Sequence, residues 1–270
     1  MYEQFKIYHT FMDHVNVITK LILGVLLFVL VIFIHNFDWM LYLAIIMFIF
    51  MIGFSGVRLK LIIAFVSVMM LFSFTSSLFM IFYGDGSTTL FQWGIVHITE
   101  ESLYRGIHLS LRTITVSFFG LSIAFTSEIV KVFYSLMQHL KVKPKYAYAF
   151  MAAIRMVPMM FESFFQLRNA LKMRYHVIDS SQYRGLNRIK HLIIPLLSQN
   201  IRRAHRLSVA MEKKGFHNGT RTYYYHVPFS YRDILLIVVF LIMVVTAHSL
   251  AIYFPITHIK DVRLIDLFDA

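Results

Sequence analysis

The sequence contains no cysteine among its 270 residues, which excludes disulfide bridges and thiolate metal sites. Histidine occurs 13 times, but never with His-Glu-x-x-His or His-x-His spacing, so no metal site is predicted. Gly84 and Gly86 lie in a loop rich in Gly, Ser and Thr. The loop lacks both the third glycine of a GxGxxG motif and the Gly-Lys-Ser/Thr of a phosphate-binding loop. We therefore expect a turn there, and no resident cofactor.

Acidic residues are also scarce, with 14 Asp and Glu against 26 Lys and Arg and a net charge of +12. Residues 131–232 hold 18 of the bases and only three acids, a net of +15, whereas the rest of the chain has a net of −3. All the excess positive charge therefore lies in one central block. Nucleic acid could bind such a charge, but the same block is rich in apolar residues, which argues against it.

Hydrophobic residues make up 58% of the chain, which favours an integral membrane protein. The N-terminus lacks the basic region and cleavage site of a signal peptide, so the first apolar run is expected to stay as an anchor. The fourth apolar run is shorter and contains Arg112, which we expect to reach the outer interface. The five runs predicted to span the membrane are 21–37, 39–57, 61–84, 105–127 and 234–257.

The charges between the predicted spans indicate their orientation. Residues 56–60 form a short basic turn, whereas the connections around Asp38 and between Asp85 and Glu101 are acidic. With lysines near the start of the chain, the positive-inside rule places the N-terminus in the cytoplasm. Five spans then place the basic block inside and the C-terminus outside.

The basic block is predicted to form two long amphipathic helices, 144–176 and 188–217, each with a proline in its first half (Pro158 and Pro195). Apolar residues recur every three or four positions in both. Such stripes are typical of helices that lie against the inner membrane surface or pack on one another. Arg155 is interpreted as a structural residue that contacts a neighbouring helix or a lipid phosphate.

The two predicted helices end alike. "NALKMRYH" places Arg174 four residues after Ala170, and "VAMEKKGFH" places Lys214 four residues after Ala210. A single base at a helix end can simply complement the helix dipole. Two matched ends in one basic block instead indicate a shared binding role.

These segments resemble the transmembrane (T) component of energy-coupling factor (ECF) transporters, the CbiQ/EcfT group. The resemblance covers almost the whole chain, from "HVNVITKLIL" through an Arg-bearing span and a short helix. It is strongest in "AFMAAIRMVPMMFESFFQLRNALKMRYH" and "SVAMEKKGF". It implies two helices that cross as an X, each ending in an Ala-Arg-Gly motif that docks into a groove of one ATPase.

The motifs of this chain depart from that pattern. The first, residues 173–175, reads Met-Arg-Tyr and keeps only the arginine; the second, residues 213–215, reads Lys-Lys-Gly and keeps only the glycine. Lysine lacks the bidentate fork that arginine offers to a carboxylate, so the second contact is expected to be weaker or differently arranged. The ATPase-docking residues that the resemblance implies are Ala170, Met173, Arg174, Ala210, Lys213, Lys214 and Gly215.

We therefore expect an all-α integral membrane protein with about five transmembrane helices and two long crossed amphipathic cytoplasmic coupling helices. The expected regions are a membrane region (1–127), a basic coupling-helix region (128–232), and a last span with a tail (233–270). Pro158, Pro195 and Arg155 are expected to shape the coupling helices.

The resemblance implies a non-catalytic subunit of an importer in the bacterial cell membrane. Its partners would be two ATP-binding-cassette ATPases, a substrate-binding S component and membrane lipid, and the cargo a vitamin or a metal ion.

Two other functions are less well supported. A permease subunit of another ABC transporter would carry the substrate path itself and is expected to have one coupling helix, whereas this chain has two matched motifs. A membrane-embedded lipid-phosphate enzyme would need clustered acids, but only three acids lie in the basic block.

Overall fold

The computed structural model describes residues 6–84, 89–93, 96–174, 186–216, 222–223, 225–257, 259 and 261–262. Eight α-helices and one small hairpin account for most of these residues. A short 3₁₀ helix, Phe11–His14, precedes the first α-helix. The helices are α1 (Val17–Phe33), α2 (Phe37–Ser55), α3 (Leu59–Tyr83), α4 (Glu100–Thr126), α5 (Ile129–His139), α6 (Pro144–Arg174), α7 (Leu186–Lys213) and α8 (Tyr231–Tyr253).

Four of the described helices are long and apolar enough to cross a membrane: α2, α3, α4 and α8, with 19, 25, 27 and 23 residues. Helix α1 is also apolar but has only 17 residues. These five correspond to the five apolar runs of the sequence, and the expected all-α membrane class is confirmed.

The fourth span is not the short one that the sequence predicted. Helix α4 begins at Glu100, because Thr99 and Ser102 form a capping box there. The backbone N–H of Ser102 donates to Thr99 Oγ1 at 3.2 Å, and the N–H of Thr99 donates to Ser102 Oγ at 3.1 Å. The first turn contains Glu100 and Glu101. A prediction based on apolar residues therefore placed the beginning of the helix too late, at residue 105.

A two-stranded hairpin lies where the sequence predicted only a turn. Strands β1 (Thr89–Trp93) and β2 (Val96–Thr99) pair antiparallel, with Phe91 opposite Ile98 and Trp93 opposite Val96. Residues 85–88 and 94–95 of the predicted turn lie outside the described residues. The Gly, Ser and Thr content of this segment concealed the strands.

The chain divides into two compact units. Residues 1–135 and 227–270 form one, called the membrane unit here because it contains all five apolar helices. Residues 136–226 form the other, called the two-helix unit because it contains α6 and α7.

Helix α4 is central to the membrane unit, since α1, α2 and α3 all pack against it, while α8 packs mainly on α2. Phe119 of α4 lies in the core between two helices. Its ring centroid is 6.3 Å from that of Phe50 on α2 and 5.9 Å from that of Phe240 on α8. All three side chains are buried, so aromatic packing joins these helices.

Small residues allow α3 and α4 to approach closely. Ser73 of α3 is buried, and its hydroxyl donates to the carbonyl of Ser110 on α4 at 2.9 Å. A Cβ atom at Gly106 would lie 2.4 Å from Cγ1 of Ile81 and 3.2 Å from the carbonyl oxygen of Ser77. This interface therefore requires a glycine at position 106.

Cations on α1 and α4 cap each other's helix ends. Lys20 of α1 is fully buried, and its ammonium donates to the carbonyl of Thr126, the last residue of α4, at 3.0 Å. Arg112 of α4, expected at the outer interface, donates to the carbonyls of Ile32 and Ile34 at the end of α1, at 3.4 and 3.2 Å. Each cation thus satisfies carbonyls that the end of a helix leaves without an intrahelical donor.

Candidate docking ends of the two-helix unit

Helices α6 and α7 each contain the proline that the sequence placed in their first half. A proline inside a helix removes one N–H donor and crowds the preceding turn, so each is a place where the helix can bend. Pro158 is half-buried, whereas Pro195 and Arg155 are exposed.

Both helices expose large apolar side chains, called the apolar surface of the two-helix unit here. Residues on it are more than one third exposed although they are phenylalanine, isoleucine, leucine or methionine. Apolar surface of this extent requires lipid or a protein partner to cover it. The surface includes Phe150, Phe161 and Phe165 on α6, and Ile193, Ile194, Leu197 and Ile201 on α7.

Helix α7 ends in a glycine cap. Gly215 has a φ of +80°. The N–H of Phe216 donates to the carbonyl of Met211 at 3.0 Å, and the N–H of Gly215 donates to that of Glu212 at 2.9 Å. This is the Schellman pattern, in which a left-handed residue satisfies the last carbonyls of the helix. The glycine of the second motif therefore has a structural reason to be there.

The residue after this cap attaches the end of α7 to the beginning of α6. The ring of Phe216 meets that of Tyr148 edge to face, with centroids 5.5 Å apart. Sequence reasoning missed both residues. The available signal was the apolar residue directly after Gly215, because Schellman caps commonly place an apolar contact at that position.

This contact fixes how far apart the two basic ends lie. Arg174 is the last residue of α6 and follows Tyr148 by 26 residues on the same helix. At 1.5 Å per residue the separation along the axis is about 39 Å. The two ends therefore lie at opposite ends of α6.

The predicted docking residues fall into two groups accordingly. Ala210, Lys213, Lys214 and Gly215 are all exposed and lie together at the end of α7. At the end of α6, Ala170 is exposed and the side chain of Met173 is 79% exposed. Arg174 ends the helix, and its side chain lies outside the described part of the chain.

Within the described residues, no group of three or more His, Asp or Glu side chains could hold a metal ion. The end of α7 offers the exposed positive charge of Lys213 and Lys214, and the end of α6 carries an arginine. Such a surface can hold carboxylates through charge-assisted hydrogen bonds.

Residues 9–225 match a protein family described as CbiQ, cobalt transport protein. The chain belongs to the CbiQ family. The match includes α1 to α7, so it covers both the membrane helices and the two-helix unit. The resemblance to the CbiQ/EcfT group is thereby confirmed, and this CbiQ-family chain is a membrane protein of a transport family.

Curated relatives of this CbiQ-family chain carry the name energy-coupling factor transporter transmembrane protein EcfT. The protein of Streptococcus equi is 28% identical over 180 residues, which are 62% of this chain and 66% of the relative. That of Lactococcus lactis has the same identity over 179 residues, again 66% of its length. The chain thus spans just under two thirds of these two relatives. That of Streptococcus thermophilus is 26% identical over 232 residues, 82% of this chain and 87% of the relative.

Gly215→Ala should loosen the end of α7. A residue with a Cβ pays roughly 1 kcal/mol or more in the left-handed region, although the space around a Cβ there is open. We expect hydrogen exchange at the Phe216 amide to become about fivefold faster or more. Gly215→Asn is the matched control, because asparagine tolerates this conformation better. Equal exchange rates in Gly215→Ala and the parent would contradict the assignment of the cap.

Proposed function

We propose that the chain is the energy-coupling membrane subunit of an ECF-type importer. It links ATP hydrolysis by two partner ATPases to the uptake of a vitamin or metal ion that a separate S component binds. The observation that carries this proposal is that α6 extends for about 39 Å between Tyr148, which contacts the end of α7, and the basic residue at its own end. Ends so far apart are suited to two ATPase subunits, one at each end.

The chemistry of the ends fits acidic grooves on those ATPases. Lys213 and Lys214 supply two ammonium groups beside the glycine cap of α7, and Arg174 supplies a guanidinium at the end of α6. An arginine can bind one carboxylate through two parallel hydrogen bonds, whereas a lysine acts as a point charge. The α6 end is therefore the more selective of the two contacts.

The apolar surface of the two-helix unit suits the S component. Movement of a membrane partner over these helices requires side chains that can repack as the contact changes. Met159 and Met160 are 43% and 38% exposed beside Phe161. Methionine is unbranched and polarisable, so it adapts to changing shapes better than other apolar residues.

In this proposal the chain is non-catalytic, and ATP hydrolysis belongs to the partners. It lies in the bacterial cell membrane, with the N-terminus and the two coupling helices on the cytoplasmic side. The coupling helices cross, and residues 128–232 form the coupling region between the membrane region 1–127 and the last span and tail 233–270. Membrane lipid surrounds α1–α4 and α8.

The test is reconstitution of the chain with two ABC ATPases and a small membrane protein, the proposed S component, from the same organism. We expect a stable complex that contains two ATPase subunits per chain, and ATP-driven uptake by proteoliposomes. Omitting the small membrane protein should abolish uptake. Uptake that persists without it would instead favour a permease that carries the substrate path itself. A chain that binds neither ATPase would overturn the proposal.

A further inference from the structure

Asn16, the N-cap of α1, is a buried hydrogen-bonding hub in the membrane unit. Its side chain is bonded in three directions, although the residue is only 3% exposed. Oδ1 accepts from the N–H of Ile18 at 3.0 Å and from the hydroxyl of Ser135 at 2.5 Å. Nδ2 donates to the carbonyl of Val227 at 3.1 Å. The backbone N–H of Asn16 donates to Asp233 Oδ1 at 2.7 Å.

Two of these partners hold special positions in the chain. Ser135 is the last residue of the membrane unit before the chain enters the two-helix unit, and Val227 is the first residue after it returns. The two-helix unit has no other covalent connection to the membrane unit. The side chain of Asn16 is therefore hydrogen-bonded both to the residue at which the chain leaves the membrane unit and to the residue at which it returns.

Neighbouring contacts hold the same two connections. Lys20 donates to the carbonyl of Thr126 and lies 3.5 Å from the hydroxyl of Ser127, just before α5 begins. Asp233, which accepts from Asn16, also accepts from the N–H of Ser230 at 2.6 Å and so caps α8 just after the return. The residues around both connections are therefore fixed to the beginning of α1.

The two connections are also tied to each other inside the two-helix unit. The side-chain amide of Gln138 donates to the carbonyl of Tyr225. Gln138 follows Ser135 by three residues, and Tyr225 precedes Val227 by two. The end of α5 and the returning segment thus lie side by side at this point.

We propose that Asn16 is the anchor through which movement of the coupling helices is transmitted to the membrane unit. This inference rests on the proposed function. A force that the ATPases apply to α6 and α7 reaches the membrane unit through the two connections. With Asn16 in place, both connections and the beginning of α1 move as one body. Without it, each connection moves separately, and the displacement is lost in the connecting segments.

Asparagine is suited to this position because its amide carries both an acceptor and a donor. The acceptor serves Ser135, and the donor serves Val227. Aspartate would keep the acceptor, lose the donor and add a charge next to Asp233. Leucine would lose both the acceptor and the donor, and with them the hydrogen bonds to Ser135 and Val227.

The Asn16→Ser variant distinguishes the proposed anchor role of Asn16 from its role as the N-cap of α1. Serine remains a good N-cap for α1, but its short side chain cannot reach both Ser135 and Val227. In the reconstituted complex we expect assembly and ATP hydrolysis to stay within about twofold of the parent. Substrate uptake per ATP hydrolysed should fall by about tenfold, because ATP hydrolysis continues while its movement is no longer transmitted to the membrane unit. An unchanged ratio of uptake to ATP hydrolysis would contradict the proposal that Asn16 is the anchor.

The absence of cysteine allows a second, independent test. Asn16→Cys combined with Ser135→Cys introduces a single thiol pair where the parent side chains are in hydrogen-bond contact. In the reduced state this variant should resemble Asn16→Ser. Oxidation of the assembled complex should form the cross-link and return uptake per ATP to within about twofold of the parent. A residue needed only for folding could not be rescued after assembly.

The matched control is Ser73→Cys combined with Ser110→Cys, because these two hydroxyls are 2.8 Å apart within the same unit. Oxidising this pair should leave the ratio unchanged. A cross-link between positions 16 and 135 that forms without restoring uptake would contradict the anchor. A parent complex that lacks ATPases or ATP-driven uptake overturns the proposed function itself. Normal uptake by the parent, with an unchanged ratio in Asn16→Ser, overturns only the anchor.

Discussion

Arg174→Glu combined with Lys214→Glu should abolish both ATPase co-purification and uptake. Each substitution replaces a base with an acid at a proposed contact with a carboxylate, so attraction becomes repulsion. Truncating one partner of a buried interfacial charge pair typically costs about 2–5 kcal/mol, and reversal costs more. At each end the affinity should fall by roughly thirtyfold or more, since 1.4 kcal/mol is a factor of ten.

The two single variants should differ from the double in stoichiometry. Because the ends lie at opposite ends of α6, each single reversal should release one ATPase and leave the other bound. Native mass spectrometry of the purified complex would count them. Arg168→Glu combined with Arg206→Glu is the control, with the same charge change on exposed positions of the same helices. An intact complex and full transport in the Arg174 and Lys214 double variant would refute the docking assignment.

Gly106→Leu should break the packing of α3 on α4. The first side-chain atom alone would meet Ile81 at 2.4 Å, and the carbonyl of Ser77 lies on the same side. Overpacking of this kind costs about 3 kcal/mol. If the two helices move apart, the hydrogen bond from Ser73 to the carbonyl of Ser110 also breaks. We expect a clearly lower thermal unfolding midpoint in detergent, and a fall in the amount of folded protein recovered.

Gly120→Leu is the matched control on the same helix. Nothing lies within 4 Å of a Cβ placed at Gly120, and this position is exposed. Leucine is also a better helix former than glycine by roughly 1 kcal/mol. The midpoint should therefore stay the same or rise. Equal midpoints in Gly106→Leu and Gly120→Leu would show that close approach of α3 and α4 does not stabilise the fold.

Much of the membrane unit could be predicted from the sequence because a span must be both long and apolar. Helices α2, α3 and α8 begin and end within a few residues of the predicted runs. The beginning of α4 was missed, since Thr99 and Ser102 are polar and their role depends on reciprocal hydrogen bonds rather than on hydropathy. Lys20 counted only as one of the lysines near the start of the chain that indicate orientation, because its partner at Thr126 lies 106 residues away.

The candidate site was predictable in part for a similar reason. The matched ends of α6 and α7 are local patterns, and Gly215 is a local signal for the end of a helix. Their separation is not local, because it depends on the contact between Phe216 and Tyr148. Asn16 could be predicted as an N-cap from its position before an apolar run. Its bonds to Ser135 and Val227, which are 119 and 211 residues away, could not.

The two cations that cap the ends of α1 and α4, Lys20 and Arg112, are synthesised at different times relative to their acceptors. Arg112 follows Ile32 and Ile34 in the chain, so its two acceptor carbonyls have already been synthesised when it is added. Lys20 is made 106 residues before Thr126. At about 5–20 residues per second it waits roughly 5–20 s for its acceptor. Helix α1 therefore completes this contact only after the end of α4 has been synthesised.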